Sequence, residues 1–192
     1  NGTVVPVISG NPPPTTPSPS PSPTHSPSHS PTPTPAPSGT PSERITNGTF
    51  EGSLAGWTLG GAKNPIDSGA EAHSGSKSLR AGATTSADVN GDSWAYQDVD
   101  LPAGAAATLS FWSYAASGDP QNDWQAAEVR DTGDATLKTV FKGGDDSQSW
   151  TQHTVDLSPW AGTTVRIWFG THGNGDALTT TLWVDDVSVL AN

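Results

Sequence analysis

From residue 43 onward the sequence consists of short runs in which apolar and polar residues alternate, separated by turns rich in Gly, Asn and Asp. A period of two places alternate side chains on opposite faces of a β-strand, and no segment shows a 3.6-residue apolar period long enough for a helix. The predicted strands are 43–50, 57–60, 77–82, 93–101, 107–116, 124–131, 135–142, 150–157, 164–171 and 181–190. This spacing predicts an all-β fold, a two-sheet antiparallel β-sandwich of the jelly-roll type.

The first 42 residues differ from the rest because they carry no charged side chain, whereas all 8 Lys/Arg and all 19 Asp/Glu follow them. Residues 11–42 hold 13 prolines, mostly alternating with Ser and Thr. Such a composition forms no packed core and favours extended polyproline II. We therefore expect 1–10 to be the remnant of an upstream region, 11–42 a disordered Pro/Ser/Thr-rich linker that could carry O-glycans, and 43–192 the sandwich.

Charge and composition exclude several classes of function. The formal net charge is −11 and the basic residues are scattered, which argues against nucleic acid and against anionic membrane surfaces. No stretch of 18 apolar residues occurs, so no membrane-spanning helix is predicted. The absence of Cys removes disulfides and thiolate zinc sites, and nothing in the composition predicts more than a monomer.

The alternation also sorts side chains into a core set and an outward set. The residues predicted to lie between the sheets are Leu109, Phe111, Ala127, Val129, Val165, Ile167 and Phe169. The outward set, predicted to share one surface, is Trp112, Tyr114, Trp124, Glu128, Arg130, Arg166 and Trp168. Flat aromatic rings with hydrogen-bonding neighbours are the means by which proteins hold sugar rings, so this set is the candidate carbohydrate-binding surface. The alternative is that these aromatic residues only pack, which is how we interpret Trp94 and Tyr96.

The sequence contains none of the motifs that mark common active sites. It has no GxSxG elbow, no HExxH, no P-loop and no GxGxxG ahead of a helix. The acidic residues lie mainly in turns, and none is marked as part of a buried catalytic pair. We expect the domain to have no catalytic activity of its own.

Three segments resemble a known group of modules: NGTFEGSLAGW at 47–57, HSGSKSL at 73–79 and WVDDVSV at 183–189. In order and spacing the chain is similar to the galactose-binding-like jelly rolls, including the family 4 and family 22 carbohydrate-binding modules. It also resembles the C-terminal modules of secreted bacterial hydrolases and peptidases. The resemblance covers nearly all of 45–190.

This resemblance implies a structural calcium ion that ties the first strand to the last. The matching ligands are the carboxylates of Glu51, Asp185 and Asp186 and carbonyl groups at Thr49, Ser76 and Lys77. Carboxylate and carbonyl oxygens are the ligands that calcium prefers. The alternative is that the two Asp side chains cap a strand end and that Glu51 is merely solvated.

The resemblance and the outward aromatic residues together predict a non-catalytic carbohydrate-binding module of a secreted, extracellular, multidomain enzyme. Its ligand would be a polysaccharide, and its covalently attached partner an upstream catalytic domain. Two alternatives stay open: a protein-directed or structural accessory domain of a secreted peptidase, and an adhesion or assembly unit.

Overall fold

The computed structural model describes residues 2, 3, 10, 39–85 and 90–192. Most of the predicted upstream remnant at 1–10 and most of the predicted linker at 11–42 lie outside the described residues. The described part contains eleven β-strands and one short 3-10 helix at Ser158–Trp160. The strands are β1 (Ser42–Glu43), β2 (Thr58–Gly61), β3 (Ile66–Ser68), β4 (Ser78–Gly82), β5 (Gly91–Asp100), β6 (Ala107–Ser117), β7 (Trp124–Arg130), β8 (Thr136–Gly143), β9 (Trp150–Asp156), β10 (Thr164–Gly173) and β11 (Thr180–Ala191).

These strands form two antiparallel sheets. The six-stranded sheet has the order β3-β4-β11-β6-β9, with β1 paired to β11. The five-stranded sheet has the order β2-β5-β10-β7-β8. The predicted two-sheet antiparallel sandwich is confirmed, and no helix among the described residues is long and apolar enough to cross a membrane.

The first predicted strand is wrong, and one strand was not predicted. Only Glu43 of the 43–50 run belongs to a strand, β1, and the run then turns, with Asn47 and Phe50 at φ angles of 54° and 57°. Phe50 is nevertheless fully buried, so this turn folds into the core. The short β3 at Ile66–Ser68 adds an unpredicted edge strand next to β4.

The core lies between the two sheets and contains the predicted inner set. Each of the seven predicted inner residues, from Leu109 to Phe169, is at most 1% exposed. Phe111 of one sheet meets Phe169 of the other edge to face, with ring centroids 4.9 Å apart. Trp57 closes this end of the core by packing on Phe169 and Phe50. Without cysteine to cross-link them, the sheets are held by this apolar contact.

Buried amide side chains add polar cross-links. Gln125 of β7 is fully buried, and its side-chain amide donates to the carbonyl groups of Asp145, Ala116 and Thr181. The last two belong to the opposite sheet, so one side chain joins β7 to β6 and β11. A buried amide is tolerated in an apolar core only when its donors and acceptor are bonded, and here they are.

Candidate functional site

The predicted outward surface is divided between the two sheets. Trp124, Glu128 and Arg130 lie on β7, and Arg166 and Trp168 lie on the adjacent β10, all in the five-stranded sheet. The remaining two residues, Trp112 and Tyr114, lie on β6 of the six-stranded sheet. The prediction that all seven share one surface is therefore wrong, because alternation fixes the direction of a side chain but not the sheet to which its strand belongs.

Strand pairing aligns the five predicted residues of β7 and β10 with outward residues of β5. Trp168 pairs with Glu128 on one side and with Tyr96 on the other. Trp124 lies opposite His172, which in turn lies opposite Asp92. The strand β5 thus contributes an outward row that includes Trp94 and Tyr96, the two rings interpreted from sequence as packing residues. Its sequence signal was present, since Trp94 and Tyr96 alternate with buried Ser93, Ala95 and Gln97.

These outward residues surround a cavity of about 450 Å³ on the outer face of the five-stranded sheet. We call it the β5–β10–β7 cleft. Its lining residues are Asp92, Trp94, Tyr96, Trp124, Arg130, Asp134, Lys142, Arg166 and Trp168. Four of these are aromatic, and the rest are charged, so the cleft offers both flat apolar faces and hydrogen-bonding groups.

Arg166 is the most firmly held group in the cleft. Its Nε and Nη2 donate to the two carboxylate oxygens of Asp98, at 2.8 and 3.0 Å, and its Nη1 donates to Asp134 at 2.6 Å. The guanidinium lies 3.7 Å from the centre of the Tyr96 ring. The hydrogen bonds to Asp98 raise the pKa of Arg166, so its charge is permanent.

A second ion pair covers the tryptophan at the floor of the cleft. Arg130 donates to Glu128 at 2.8 Å and lies 3.9 Å from the centre of the Trp168 ring. The ring also packs on Gly170, where an added Cβ would come within 2.4 Å of it. Trp168 is consequently only 4% exposed. It forms the floor of the cleft and does not present a free face.

The aromatic rings nearer to solvent are Trp94 and Trp124. Trp94 stacks on Tyr96 with ring centroids 5.7 Å apart. Trp124 stacks on His172 at 5.6 Å, and the Lys142 ammonium lies 4.2 Å from the centre of its ring. Both Trp side chains are half-buried, so each is fixed by neighbours yet open to a ligand.

Trp112 and Tyr114 take part in a separate aromatic group on the six-stranded sheet. Trp112 is stacked under His73, with ring centroids 3.8 Å apart. Tyr114 lies between Trp150 and Trp183, at 5.7 and 5.4 Å. This group belongs to the outer face of the six-stranded sheet and contributes nothing to the cleft.

The three carboxylates predicted to bind calcium each hydrogen-bond to the loop between β3 and β4. Fully buried Asp185 accepts the backbone N–H groups of His73 and Ser74, at 2.9 and 3.1 Å. Asp186 accepts the Ser74 hydroxyl at 2.7 Å and contacts the His73 ring at 2.7 Å. Desolvation by burial raises the pKa of Asp185.

Glu51 binds the same loop from the other side. It accepts the backbone N–H groups of Ser76 and Lys77, at 2.9 and 3.0 Å, and these bonds lower its pKa. Thr49 and Asp186 line a surface hollow of about 320 Å³ beside this loop. Within 39–85 and 90–192, no three His, Asp or Glu residues come together as a metal-binding group. The oxygen donors suit calcium chemically, and an ion would compete with N–H donors for the carboxylates.

Two antiparallel sheets form a jelly-roll sandwich, and one of them has an aromatic and polar cleft on its outer face. The family model described as "Carbohydrate binding domain" matches residues 42–177, and the chain belongs to this family. The resemblance noted from the sequence is thereby confirmed.

Solved structures share the fold at low sequence identity. TmCBM61, solved in complex with beta-1,4-galactotriose, is 19% identical, with a TM-score of 0.58 over 77% of this chain and 97% of its own. The K3 cleaved adhesin domain of Lys-gingipain from Porphyromonas gingivalis W83 is 18% identical, with a TM-score of 0.57 over 77% and 99%. A family 16 carbohydrate-binding module is 13% identical, with a TM-score of 0.51 over 76% and 97%. Among curated proteins no match is found.

Proposed function

We propose that this module binds a polysaccharide in the β5–β10–β7 cleft and thereby holds a covalently attached, secreted enzyme close to its substrate. The observation that carries the proposal is the placement of Trp94 and Trp124 as half-buried rings above a floor of fixed charged groups. Sugar rings have apolar faces edged by hydroxyl groups, so they need stacking surfaces next to donors and acceptors. The cleft offers both within one cavity.

The charges of the cleft favour a neutral polysaccharide. Three cationic side chains, Arg130, Lys142 and Arg166, line it or pair within it. Four carboxylates accompany them, at Asp92, Asp98, Glu128 and Asp134. Since the guanidinium groups are already paired, a uronate or sulfated chain would meet a surface without spare positive charge.

The same pairing supports the proposal that the module is not itself an enzyme. Glycoside hydrolysis needs one carboxyl group that stays protonated and a second that is ionised, flanking the bond to be broken. Glu128 accepts hydrogen bonds from Arg130 and Thr136, and Asp98 is bonded to Arg166 through both oxygens. Both carboxylates are held by these partners on the sheet, so neither projects freely toward a glycosidic bond as one of such a pair.

The test is a binding assay on insoluble cellulose, xylan, chitin and β-glucan, followed by calorimetry with soluble oligosaccharides that include β-1,4-galactotriose. Aromatic stacking on a nucleic-acid base is worth about 1–3 kcal/mol, and by analogy Trp124→Ala and Trp94→Ala should each weaken binding by at least about fivefold. Leu137→Ala is the matched control, because Leu137 is an exposed residue of β8 outside the cleft lining.

Two outcomes would argue against the proposal. If the wild-type chain stays unbound on every polymer and oligosaccharide, a protein-directed accessory domain or an adhesion unit becomes the better explanation. If it binds but neither Trp variant weakens binding, the ligand lies elsewhere on the module.

The calcium ion and the extracellular location remain part of this proposal. Support for calcium comes from the convergence of Glu51, Asp185 and Asp186 on one loop, where an ion would tie 47–51 to β11. Support for secretion comes from the Pro/Ser/Thr-rich tract at 11–42, a composition typical of extracellular tethers. A tether of this type would let the module and the enzyme engage one polymer together.

A further inference from the structure

The outer face of the six-stranded sheet carries a row of large side chains that the cleft does not use. Arg80 of β4 pairs with Trp183 of β11, Trp183 pairs with Tyr114 of β6, and Tyr114 pairs with Trp150 of β9. Residues paired in this way lie on the same face of a sheet and contact one another. We call Arg80, Trp183, Tyr114 and Trp150 the six-strand row.

Two hydrogen-bond donors in this row are buried and have no partner within 39–85 and 90–192. They are the Nε atom of Arg80 and the Nε1 atom of Trp183, which belong to neighbouring side chains on paired strands. Trp183 is 6% exposed, so its indole is held in place while its N–H group finds no acceptor among these residues. Buried donors are nearly always paired in native proteins, which makes two adjacent exceptions a sign of an absent acceptor.

A cavity adjoins Trp183, one of the two donors. It measures about 330 Å³ and is bordered by Trp183 together with several polar groups. These are the side chains of Thr84, Asp146, Gln148 and Thr181. Half-buried Tyr114 contacts Trp183, and burial, with the nearby charges of Glu71 and Asp146, raises the pKa of its phenol. The hollow therefore combines an aromatic wall with hydroxyl, amide and carboxylate groups.

We propose that the six-strand row is a second binding surface for a neutral carbohydrate chain, on the sheet opposite the cleft. Tyr114 and Trp150 supply the ring faces, since both are half-buried and tilted against each other at 5.7 Å. The Trp183 indole and the Arg80 guanidinium donate to sugar oxygens, and Asp146 accepts from a sugar hydroxyl. Glu71 and Asp146 disfavour an anionic chain.

Two surfaces on opposite sheets make the module bivalent toward one polymer or two. Bivalent proteins cross-link soluble polymers, whereas monovalent ones bind them without cross-linking. The wild-type chain should therefore raise the turbidity of soluble xylan or β-glucan solutions. Either Tyr114→Ala or Trp150→Ala should abolish the turbidity while leaving binding at the cleft intact, and Leu190→Ala should change neither. Leu190 is a suitable control because it is an exposed apolar residue of β11 outside the row.

NMR of the indole N–H groups tests whether the Trp183 indole donates a hydrogen bond to the sugar. Trp183→Phe identifies the Trp183 signal and removes the donor while keeping an aromatic ring. Titration of the Trp94→Ala/Trp124→Ala chain with cellohexaose, xylohexaose and β-1,4-galactotriose isolates the six-strand row from the cleft. We expect the Trp183 signal to move with one of these sugars, and Trp183→Phe to weaken that binding by about three- to tenfold.

The proposal fails if the Trp183 signal stays fixed throughout all three titrations. It also fails if the signal moves but Trp183→Phe, with an unchanged melting temperature, binds as tightly as its parent. These results are independent of the cleft, because loss of binding at the cleft is measured by Trp94→Ala and Trp124→Ala in the otherwise wild-type chain.

Discussion

The ion pair between Asp98 and Arg166 should respond very differently to removal of one partner or the other. The Arg166 guanidinium is 9% exposed, whereas the side chains of Asp98 and Asp134 are 37% and 61% exposed. A charge that water can reach is readily solvated after its partner is removed, but a buried charge is not. We therefore expect Asp98→Ala to destabilise the domain more than Arg166→Met does.

The exposed fractions of these side chains determine how much stability each variant should lose. Breaking a buried pair by removing one partner costs about 3–5 kcal/mol. Asp98→Ala should cost about 3 kcal/mol, the lower end, because Asp134 and the Tyr96 ring still contact the guanidinium. Arg166→Met leaves only the solvated carboxylates of Asp98 and Asp134 without a partner and keeps an apolar stem, so the free energy of unfolding should fall by about 1 kcal/mol. At about 2–4 °C per kcal/mol, the melting temperatures should fall by about 6–12 and 2–4 °C.

Urea denaturation of both single variants and of the double variant measures this asymmetry. The double variant should resemble Arg166→Met alone, because the stranded guanidinium is gone, and should recover about 2 kcal/mol relative to Asp98→Ala. Asp100→Ala is the control, since Asp100 is an exposed residue of the same strand that accepts a hydrogen bond from the Thr164 hydroxyl and takes no part in the Arg166 ion pair. If Arg166→Met proves as destabilising as Asp98→Ala, the solvation argument is refuted.

Three further predictions concern stability. Burial lowers the pKa of His153, which stacks on Phe111, so the domain should keep its melting temperature above pH 6.5 and lose stability as the pH falls below it; His153→Gln should flatten that decline. Gly48→Ala should lower the melting temperature by several degrees, because its Cβ would meet the Val187 carbonyl oxygen at 1.9 Å. Excess chelator should lower the melting temperature of the calcium-loaded chain, and an unchanged value would exclude a structural calcium ion.

The core of the sandwich could be predicted from sequence because it depends on a local property. Alternation along β6 and β10 is enough to direct Leu109, Phe111 and Phe169 inward, whichever strands lie beside them. Strand order is a different matter, since β10 pairs with β5 and β7 while β11 pairs with β6. These pairings join residues far apart in the chain, and alternation carries no information about them.

The turn at 47–50 shows the same limit. Ile45 and Phe50 are five residues apart, so a regular strand would point them to opposite faces, yet both are buried. The Asn47-Gly48 dipeptide is a turn signal in its own right, but its conformation is fixed from elsewhere. The Asn47 amide donates to the carbonyl groups of Ser53 and Ala55, and the Gly48 carbonyl accepts from Val187 of β11. The segment therefore forms a turn and not the predicted strand, because polar groups of Asn47 and Gly48 bond to residues outside it.

The cleft could be predicted only in part, because alternation directs Trp124, Arg130, Arg166 and Trp168 outward but does not show that Trp94 and Tyr96 lie beside them or how the rings are used. Three of its aromatic side chains lie beside a cation: Trp168 beside Arg130, Tyr96 beside Arg166, and Trp124 beside Lys142. The two Arg side chains are held there by carboxylates at hydrogen-bond distance, so uncovering their rings would break ion pairs as well.

Lys142 is the exception, because its side chain is 47% exposed and its distance to Glu128 is 3.9 Å. An exposed cation–π contact is worth about 0.5–1 kcal/mol, an amount that a stacked sugar ring would replace. Trp124 is therefore the ring from which a ligand can most readily displace a cation. The sequence could place these aromatic residues outside the core, but only the positions of the cations distinguish the floor of the cleft from its binding face.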